Sequence, residues 1–336
     1  MVRIAGIALV ALAACGRFDF DTVTTGSDAG SGSDDVGVKS CASLPKTCGP
    51  TQSSTCCASP IVDGGTFFRG YDKVPDTDFK DMSKPATVSS FRLDKYETTV
   101  GRFRAFVDAG YGTQAKPPVV GSGGRTLNGM ANQGAWEAAW TSSLTADRAA
   151  LDAALHCDTQ FSTWTPTAGA NESRPLNCVN WYEAMAFCIW DGGFLPTEAE
   201  TMYAAAGGDE QRAYPWSNPP DSLVIDTTQA SVNCLGDGVN GCELTDMTVP
   251  GTKPAGDGRW GQSELLGNVW EWTVESISDY TTPCVDCASI GGIDIIVRGA
   301  GWDDGVTSTL RVGHRETYPA NGRLANSVAI RCARPL

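Results

Sequence analysis

Residues 261–273 read Gly-Gln-Ser-Glu-Leu-Leu-Gly-Asn-Val-Trp-Glu-Trp-Thr and are the most informative segment of the chain. Gly267 can adopt the positive φ of a tight turn, and the alternation of Val269 and Glu271 with two tryptophans predicts a short strand after that turn. Backbone carbonyls at such a turn, together with the Glu271 carboxylate, are the hard oxygen ligands that Ca²⁺ prefers. The segment therefore predicts a turn, a strand and a candidate cation site.

Four further motifs accompany this segment. They are Gly-Gly-Thr-Phe at 64–67, Leu-Pro-Thr-Glu-Ala-Glu at 195–200, Arg-Gly-Ala-Gly-Trp at 298–302 and Ile-Arg-Cys-Ala-Arg at 330–334. In this order the five motifs resemble the formylglycine-generating enzyme, or sulfatase-modifying factor, domain family over residues 60–336. The resemblance implies one α+β domain with the C-type-lectin-like fold of that family, rich in disulfides and with few regular elements.

The composition excludes some functional classes. The 336 residues are 41% hydrophobic, which is enough for a large core. With 25 basic and 39 acidic residues the formal charge is −14, so no basic excess exists to neutralise nucleic-acid phosphates. His156 and His314 are the two histidines of the sequence, too few for the three-histidine iron or copper site that some relatives of this fold use.

Residues 1–15 have the pattern of a signal peptide, with Arg3, an apolar run over 4–14, and then Cys15. The run is too short to span a bilayer as a helix. Leu-Ala-Ala-Cys at 12–15 resembles the bacterial lipoprotein signal, in which the cysteine is lipidated. The alternative is an ordinary cleaved signal with an unrelated cysteine. We expect a protein exported to the bacterial cell envelope and anchored to a membrane through lipid on Cys15.

Two polar segments precede the domain. Residues 16–40 are rich in Gly, Ser, Thr and Asp, which predicts a flexible acidic linker. Residues 41–59 form a small cysteine-rich segment with Cys41, Cys48, Cys56 and Cys57. Cys56 and Cys57 should take different partners, because a bridge between adjacent cysteines is strained. Zinc is the alternative to disulfides here, although disulfides are favoured outside the cytosol.

The cysteine count indicates disulfides. Thirteen cysteines less the lipidated Cys15 leave twelve, an even number. In the resemblance Cys188 and Cys332 match a family bridge, while the family's other bridge is replaced by Ala206 and Val312. Cys157 with Cys178, and Cys234 with Cys242, are then the natural remaining pairs. Cys284 and Cys287 form a Cys-x-x-Cys, which is a local disulfide in one interpretation and a redox or metal-binding pair in another.

Local patterns predict several elements. A helix begins at Thr99 and buries Val100, Phe103, Phe106 and Val107 in the core. A second spans 146–156, and strands are expected at 66–69 and 86–93. Asn180 with Glu183, and Thr197 with Glu200, have capping-box spacing, so two further helices start at about 181 and 197.

The resemblance implies two structural calcium sites. One matches Glu264, Gly267, Val269 and Glu271, and the other matches Asn233, Cys234, Asp237 and Val239, in a loop that is shorter than the family's. Such ions would crosslink loops and stabilise the folded state. The alternative for the first set is a solvated acidic turn in which Glu271 makes a structural hydrogen bond.

The family's copper chemistry depends on two cysteine thiolates just after the glycine-rich strand. Residues 299–310 contain no cysteine here, and Gly301 replaces the family's serine. Copper(I) is a soft ion that needs soft thiolates, whereas Asp303, Asp304 and Thr307 offer hard oxygens. We therefore expect that copper is not bound and that the oxidase chemistry is lost, unless Cys284 and Cys287 supply a displaced thiol pair.

The remaining candidates form an expected ligand pocket. Its residues are Trp302, Arg311, His314 and Arg315, near the place of the lost thiolates, with the charged residues from Arg311 onward on a predicted strand. An ordinary surface strand is the alternative. The resulting hypothesis is a lipid-anchored, calcium-stabilised binding or assembly module for a protein, peptide or glycan ligand. Its rivals are an oxidase with a displaced site and a structural envelope protein.

Overall fold

The computed structural model describes residues 38–305, 307–324 and 328–336. Cys15, the predicted signal peptide and residues 16–37 of the predicted linker lie outside the described residues. Over the described part of the chain, four α-helices and twelve short strands are separated by turns and irregular segments that hold most of the residues. The prediction of an α+β chain with few regular elements is confirmed.

The elements are short. The helices are α1 Val100–Asp108, α2 Arg148–Leu155, α3 Trp181–Trp190 and α4 Glu198–Ala205. The strands are β1 Ile61–Val62, β2 Gly65–Phe68, β3 Pro85–Val88, β4 Phe91–Leu93, β5 Arg125–Leu127, β6 Met130–Gln133, β7 Trp270–Ser276, β8 Cys284–Val285, β9 Asp294–Arg298, β10 Glu316–Pro319, β11 Val328–Ala329 and β12 Ala333–Arg334. None of the helices in this part of the chain is long and apolar enough to cross a membrane.

The segment 261–273 leads into the centre of the largest sheet, whose strand order is β10-β9-β7-β11. β7 pairs antiparallel with β9, where Glu271 lies opposite Arg298, and parallel with β11, where Glu271 lies opposite Ala329. All seven residues of β7 are buried. The predicted strand is therefore confirmed, but both of its faces are covered by protein.

Three smaller sheets have the orders β1-β4-β12, β2-β3-β8 and β5-β6. The single strand predicted over 86–93 is wrong: it divides into β3 and β4 at Ser89, whose N–H and hydroxyl each donate to the Asp286 carboxylate at 2.7 Å. The strand predicted from Arg311 onward is also wrong. His314 N donates to Arg311 O at 2.9 Å in a turn, and β10 begins only at Glu316.

The helix starts follow from their caps. In α3 the Asn180 side chain accepts from Glu183 N, and the Glu183 carboxylate accepts from Asn180 N. Thr197 and Glu200 form the same reciprocal pair at the start of α4. Each box satisfies two backbone donors that the first helical turn leaves free. The two predicted helix starts are confirmed, and Thr99 caps α1 as expected.

The core is aromatic and lies between α1 and α3. Phe103 and Phe106 of α1 pack on Phe187 of α3, with ring centroids 5.5 and 5.7 Å apart. Trp272 of β7 belongs to the same cluster, and its indole N–H donates to Val179 O at 3.1 Å. The prediction that the α1 aromatics are core residues is confirmed.

A buried ion network ties distant segments together. Arg102 of α1 donates to Asp94 at 2.9 Å and to Asp191 at 2.7 Å, and Arg334 of β12 donates to the same carboxylates at 2.7 and 2.9 Å. Burial opposes ionisation of Asp94, but the charges of Arg334 and Arg102 outweigh it, so its pKa lies below the ordinary value. Ser40 N also donates to Asp191 at 2.7 Å, so residues 38–40 pack on the domain.

Disulfides reinforce these connections. The described cysteines form the pairs Cys41–Cys57, Cys48–Cys56, Cys157–Cys178, Cys188–Cys332, Cys234–Cys242 and Cys284–Cys287. Adjacent Cys56 and Cys57 take different partners, and four cysteines of the small amino-terminal segment are therefore in bridges instead of a zinc site. The Cys188–Cys332 bridge joins α3 to the residue just before β12.

We predict that Arg102→Met lowers the free energy of unfolding by about 3–5 kcal/mol, because it leaves two buried carboxylates short of a counter-charge. Urea denaturation followed by circular dichroism measures this. The control is Arg148→Met, which removes two partly exposed ion pairs, with Asp108 and with Asp152, and which should cost about 1 kcal/mol or less. Equal losses for the two variants would contradict the role given to Arg102.

Candidate functional site

The turn at Gly267 depends on glycine. Its φ is +84°, and a Cβ at this position would lie 2.7 Å from Ser231 O. Its N–H donates to Gly299 O at 2.6 Å, and the next residue, Asn268, accepts from Thr248 N at 2.8 Å. A larger residue would be strained here. The turn is therefore held against three other segments, which positions the carboxylates on either side of it.

Arg331 occupies the space between those carboxylates. It is fully buried, and its guanidinium donates to Glu271 at 2.7–2.8 Å. The same group donates to Ser263 O at 2.8 Å and to Glu264 O at 3.3 Å. Both oxygens of the Glu264 carboxylate accept from Gly251 N at 2.9 Å. Glu264 and Glu271 are thus brought together around one buried cation, whose role the sequence analysis did not identify.

Glu97 is a third buried carboxylate at this turn. One of its oxygens accepts from Asn268 Nδ2 at 2.6 Å, and the other has no hydrogen-bond partner. Sequence reasoning missed Glu97 because 171 residues separate it from Asn268, and no periodicity connects residues so far apart. The available signal was an acidic residue two positions before the α1 cap at Thr99.

Burial is the main cause of the raised pKa values of these three carboxyl groups. Burial, followed by the charge of Glu264, raises the pKa of Glu97 well above its usual range. Burial raises the pKa of Glu264 to about 7 and also raises that of Glu271. Arg331 supplies one positive charge against three carboxyl groups. Full ionisation would therefore leave two uncompensated negative charges, so the folded protein must retain protons or take up a cation here.

The donor chemistry of this cluster fits Ca²⁺. Carboxylate and main-chain oxygens are hard ligands, a divalent ion would balance the two excess charges, and one Glu97 oxygen lacks a partner. Within residues 38–305, 307–324 and 328–336, no three acidic, histidine or cysteine side chains already stand in a metal-binding arrangement. We therefore keep calcium as a proposal, with the cluster of Glu97, Glu264 and Glu271 as its residues and Gly267 and Val269 supplying main-chain oxygens.

The second predicted calcium loop is satisfied by its own residues. The Asp237 carboxylate accepts from Thr245 Oγ1 at 2.6 Å and from Val239 N at 2.8 Å. Cys234 is bonded to Cys242, and Val239 is 65% exposed. Asn233 and Cys234 both have positive φ values, of 55° and 54°. Internal bonds and a disulfide therefore organise this loop.

Residues 299–310 offer no soft ligand. The Asp304 carboxylate accepts from Gly301 N at 2.7 Å and from the Trp270 indole at 2.8 Å. All twelve cysteines in the described part of the chain are paired in six disulfides. The residues at the expected copper position therefore do not fit copper(I), since that ion requires thiolates.

Of the four residues expected to line a ligand pocket, Arg311 and His314 line one small cavity, whereas Trp302 and Arg315 lie elsewhere. Trp302 is 1% exposed and packs on Phe161. Arg311 forms ion pairs with Asp72 and Asp76, and its side chain is 2% exposed. The ring centroids of His314 and Trp270 are 5.9 Å apart, and burial lowers the pKa of the His314 imidazole. Arg315 lines an open cleft, and of the four residues it is therefore the one that a ligand in this cleft could contact.

This cleft has a volume of about 350 Å³ and lies between the loop 278–289, Asn128 and Met130, and Arg69. The Tyr280 ring is flanked by the guanidinium groups of Arg69, 4.7 Å from its centroid, and Arg315, 4.2 Å from it. The Tyr280 hydroxyl lies 3.0 Å from Glu198 Oε1. The cleft wall is thus a built array of charged and aromatic groups.

Two further groups extend this wall. Glu198 forms an ion pair with the buried Arg298 and another with Arg315 at 3.3 Å. Burial and the neighbouring charge of Glu198 raise the pKa of Glu275 to about 8. Cys287, joined to Cys284, also lines the cleft. Of these residues sequence reasoning singled out Arg315 and the two cysteines, and it missed Arg69, Tyr280 and Glu275.

Comparison with known proteins identifies the relatives of this chain. The family model of the sulfatase-modifying factor enzyme 1-like domain matches residues 46–336. The formylglycine-generating enzyme of Mus musculus is 29% identical over 236 residues, which cover 63% of this chain and 56% of the mouse protein. The inactive C-alpha-formylglycine-generating enzyme 2 of Bos taurus is 29% identical over 271 residues, covering 76% and 78%. The hercynine oxygenase of Mycolicibacterium smegmatis is 26% identical over 262 residues, covering 73% and 54%.

A solved structure shares the fold. PvdO from Pseudomonas aeruginosa superposes with a TM-score of 0.54 at 18% identity, covering 84% of this chain and 95% of PvdO. The predicted sulfatase-modifying-factor fold is therefore confirmed. The chain spans just over half the length of the mouse enzyme, so that enzyme's activity and substrates do not transfer with the match.

We predict that the stability of the protein in chelator falls as the pH rises from about 5 to 7. The folded state retains the Glu264 proton up to a pKa of about 7, whereas the unfolded chain loses it near the ordinary value of 4.5. Glu264→Gln keeps the acceptor for Gly251 and should lessen this loss by roughly 1–3 kcal/mol. Urea denaturation at several pH values measures it, with the exposed Glu137→Gln as control. Parallel pH curves for wild type and Glu264→Gln would contradict the assignment.

Proposed function

The chain belongs to the sulfatase-modifying factor enzyme 1-like domain family, and from this premise we propose that it is a binding module without formylglycine oxidase activity. The observation that carries the proposal is the absence of a thiolate pair: residues 299–310 contain no cysteine, and the twelve described cysteines are in disulfides. The bovine relative that is called inactive is consistent with a non-catalytic member of the family.

The site residues are consistent with a domain that binds a ligand and does not catalyse the family's reaction. In the segment where the family has thiolates, this chain has the Asp304 carboxylate, which accepts hydrogen bonds from Gly301 N and from the Trp270 indole. Groups that hold a ligand are separable from groups that transform it, so binding can persist without the reaction. The cleft of about 350 Å³ beside Arg69, Tyr280 and Arg315 is the surface we assign to that ligand, a protein, peptide or glycan.

The location of the module is part of the proposal. Lipid on Cys15 would anchor the protein to a membrane of a bacterial cell envelope, with residues 16–37 as a tether. The six disulfides are consistent with an oxidising compartment outside the cytosol. Under this proposal the module presents its cleft at a membrane surface.

An oxidase with a displaced site is the second candidate. The observation in its favour is that Cys287, half of the Cys284–Cys287 pair, lines the charged cleft. Reduction would give two thiols three residues apart, the kind of soft ligands that copper(I) takes. Active formylglycine-generating enzymes are among the relatives.

Structural calcium completes the proposal. The cluster around Arg331 carries an excess of negative charge when its carboxyl groups, Glu97, Glu264 and Glu271, are ionised. A divalent cation would balance that excess. When bound, Ca²⁺ would neutralise the cluster and hold the turn at Gly267 against the rest of the domain. The protein's own hydrogen bonds from Asn268, Gly251 and Arg331 to the three carboxylates also hold this turn.

We predict that the purified protein, supplied with copper(I) and oxygen, does not convert the cysteine of a sulfatase-type peptide to formylglycine. The reason is that no described cysteine is a free thiol. Mass spectrometry of the peptide is the measurement, with mouse formylglycine-generating enzyme as the positive control. Product that forms with wild type and disappears with Cys284→Ser/Cys287→Ser would establish the displaced oxidase instead.

We predict that calcium raises the Tm of chelator-treated protein in proportion to the logarithm of its concentration, reaching about 2.7 kcal/mol of stabilisation at one hundred times Kd. Glu97→Gln removes a carboxylate that is outside the Arg331 ion pair, so it should lessen the response without leaving that cation unpaired. Glu137→Gln, on the exposed surface, should respond like wild type. A Tm indifferent to calcium and chelator in wild type would contradict the site.

A further inference from the structure

Arg69 is a buried cation without a counter-ion. The residue is 4% exposed, and it forms no ion pair within residues 38–305, 307–324 and 328–336. Its Nη2 donates to Thr281 O, and its Nε has no hydrogen-bond partner. Burial lowers the pKa of its guanidinium, although Tyr280, Glu198 and Glu275 lie near enough to oppose that shift without forming an ion pair. An unpaired buried charge is costly, which indicates that a state with a counter-charge exists.

Besides Thr281 O and the Tyr280 ring, Arg69 contacts a disulfide. Its Nη1 donates to Cys287 Sγ at 3.3 Å. Other bridge sulfurs with described partners face hydroxyl groups, as Cys57 does with Ser40 and Cys178 with Ser162. A neutral disulfide sulfur is a weak acceptor and gives Arg69 no charge, but a thiolate at the same position would give it an ion pair.

The two cysteines of this bridge are similarly buried, 3% and 4% exposed, but they lie against different surroundings. Cys287 lines the cleft of about 350 Å³, whereas Cys284 is absent from its walls and lies in β8, paired with β3. The bridge closes a loop between residues only three apart in sequence. Its reduction therefore releases little of the fold, in contrast to the Cys188–Cys332 bridge, whose residues are 144 apart.

We propose that Cys284–Cys287 is a redox-active disulfide that accepts two electrons from a dithiol reaching the cleft, with Arg69 stabilising Cys287 as the thiolate. One thiolate of the dithiol attacks Cys287 Sγ, the S–S bond breaks, and Cys284 leaves as a thiolate that takes a proton from water. The second thiol, deprotonated to solvent, attacks the mixed disulfide and releases Cys287 beside Arg69. The dithiol is oxidised to a disulfide, and the protein's disulfide is reduced.

Because the Cys287 thiolate would give Arg69 a counter-charge, Arg69 should stabilise the reduced form of the bridge. Stabilising the reduced form makes a disulfide a stronger oxidant of thiols. Arg315 lies in the same cleft but donates to Glu198 and Ser278 O, so it already has a counter-charge. This exchange is independent of copper, oxygen and the binding function proposed above.

The experiment equilibrates the full chain, purified in detergent and held in chelator, with glutathione buffers of increasing reducing ratio. Acid quenching, alkylation and mass spectrometry then give the reduced fraction of each cysteine pair, and circular dichroism verifies that the protein stays folded. We expect Cys284–Cys287 to be reduced with an equilibrium constant at least tenfold larger than that of any other bridge. Arg69→Met should lower this constant at least tenfold, while Arg69→Lys and Arg148→Met, a variant outside the cleft, stay close to wild type.

A second readout keeps the test informative if Arg69→Met does not fold. Cys284→Ser should form a mixed disulfide with glutathione at Cys287, because that sulfur lines the cleft. Reduction of all six bridges together, an unchanged constant in folded Arg69→Met, or a Cys284→Ser variant that takes up no glutathione would each overturn the proposal.

Discussion

The architecture depends on the Asp94 carboxylate, which is shared between Arg102 and Arg334 in a fully buried network. A domain with strands of two to seven residues cannot rely on long backbone ladders to bring its ends together. Here charge pairing connects α1, the end of α3 and β12, and Ser40 attaches the amino-terminal segment through Asp191. Because a buried carboxylate without its partner is costly, the network specifies one arrangement of these segments.

The acidic cluster shows the opposite charge balance. In the Asp94 network two carboxylates face two guanidinium groups, whereas Glu97, Glu264 and Glu271 share Arg331, and Lys253 also acts on Glu264 from nearby. The first is complete, and its acid stays ionised, as the lowered pKa of Asp94 indicates. The second has more carboxylates than cations, and burial raises the pKa of Glu264 to about 7. Ion pairing thus connects segments of the fold in the Asp94 network. In the Glu97 cluster it leaves carboxyl groups whose protonation should change with pH.

The cleft extends this contrast to a positive charge. Among the described residues Arg69 forms no ion pair with a carboxylate and contacts the Cys284–Cys287 bridge, while the neighbouring Arg298 and Arg315 share Glu198. Residues 299–310 contain no cysteine and include the Asp304 carboxylate, which accepts from Gly301 N, while Cys287 lines the cleft. The family fold is thus present without thiols in this segment, and a shared fold does not by itself establish a shared reaction.

Local rules made the caps of α1, α3 and α4, the turn at Gly267 and the buried α1 face predictable, because each depends on residues within a few positions of one another. The absence of thiolates from 299–310 was likewise readable from the sequence. Glu97 against Asn268, Arg331 between two glutamates and Arg69 on Cys287 were not, since 171, 60 and 218 residues separate these pairs. Their contacts arise from how irregular loops pack in three dimensions, and burial then sets which charges are balanced and which are not.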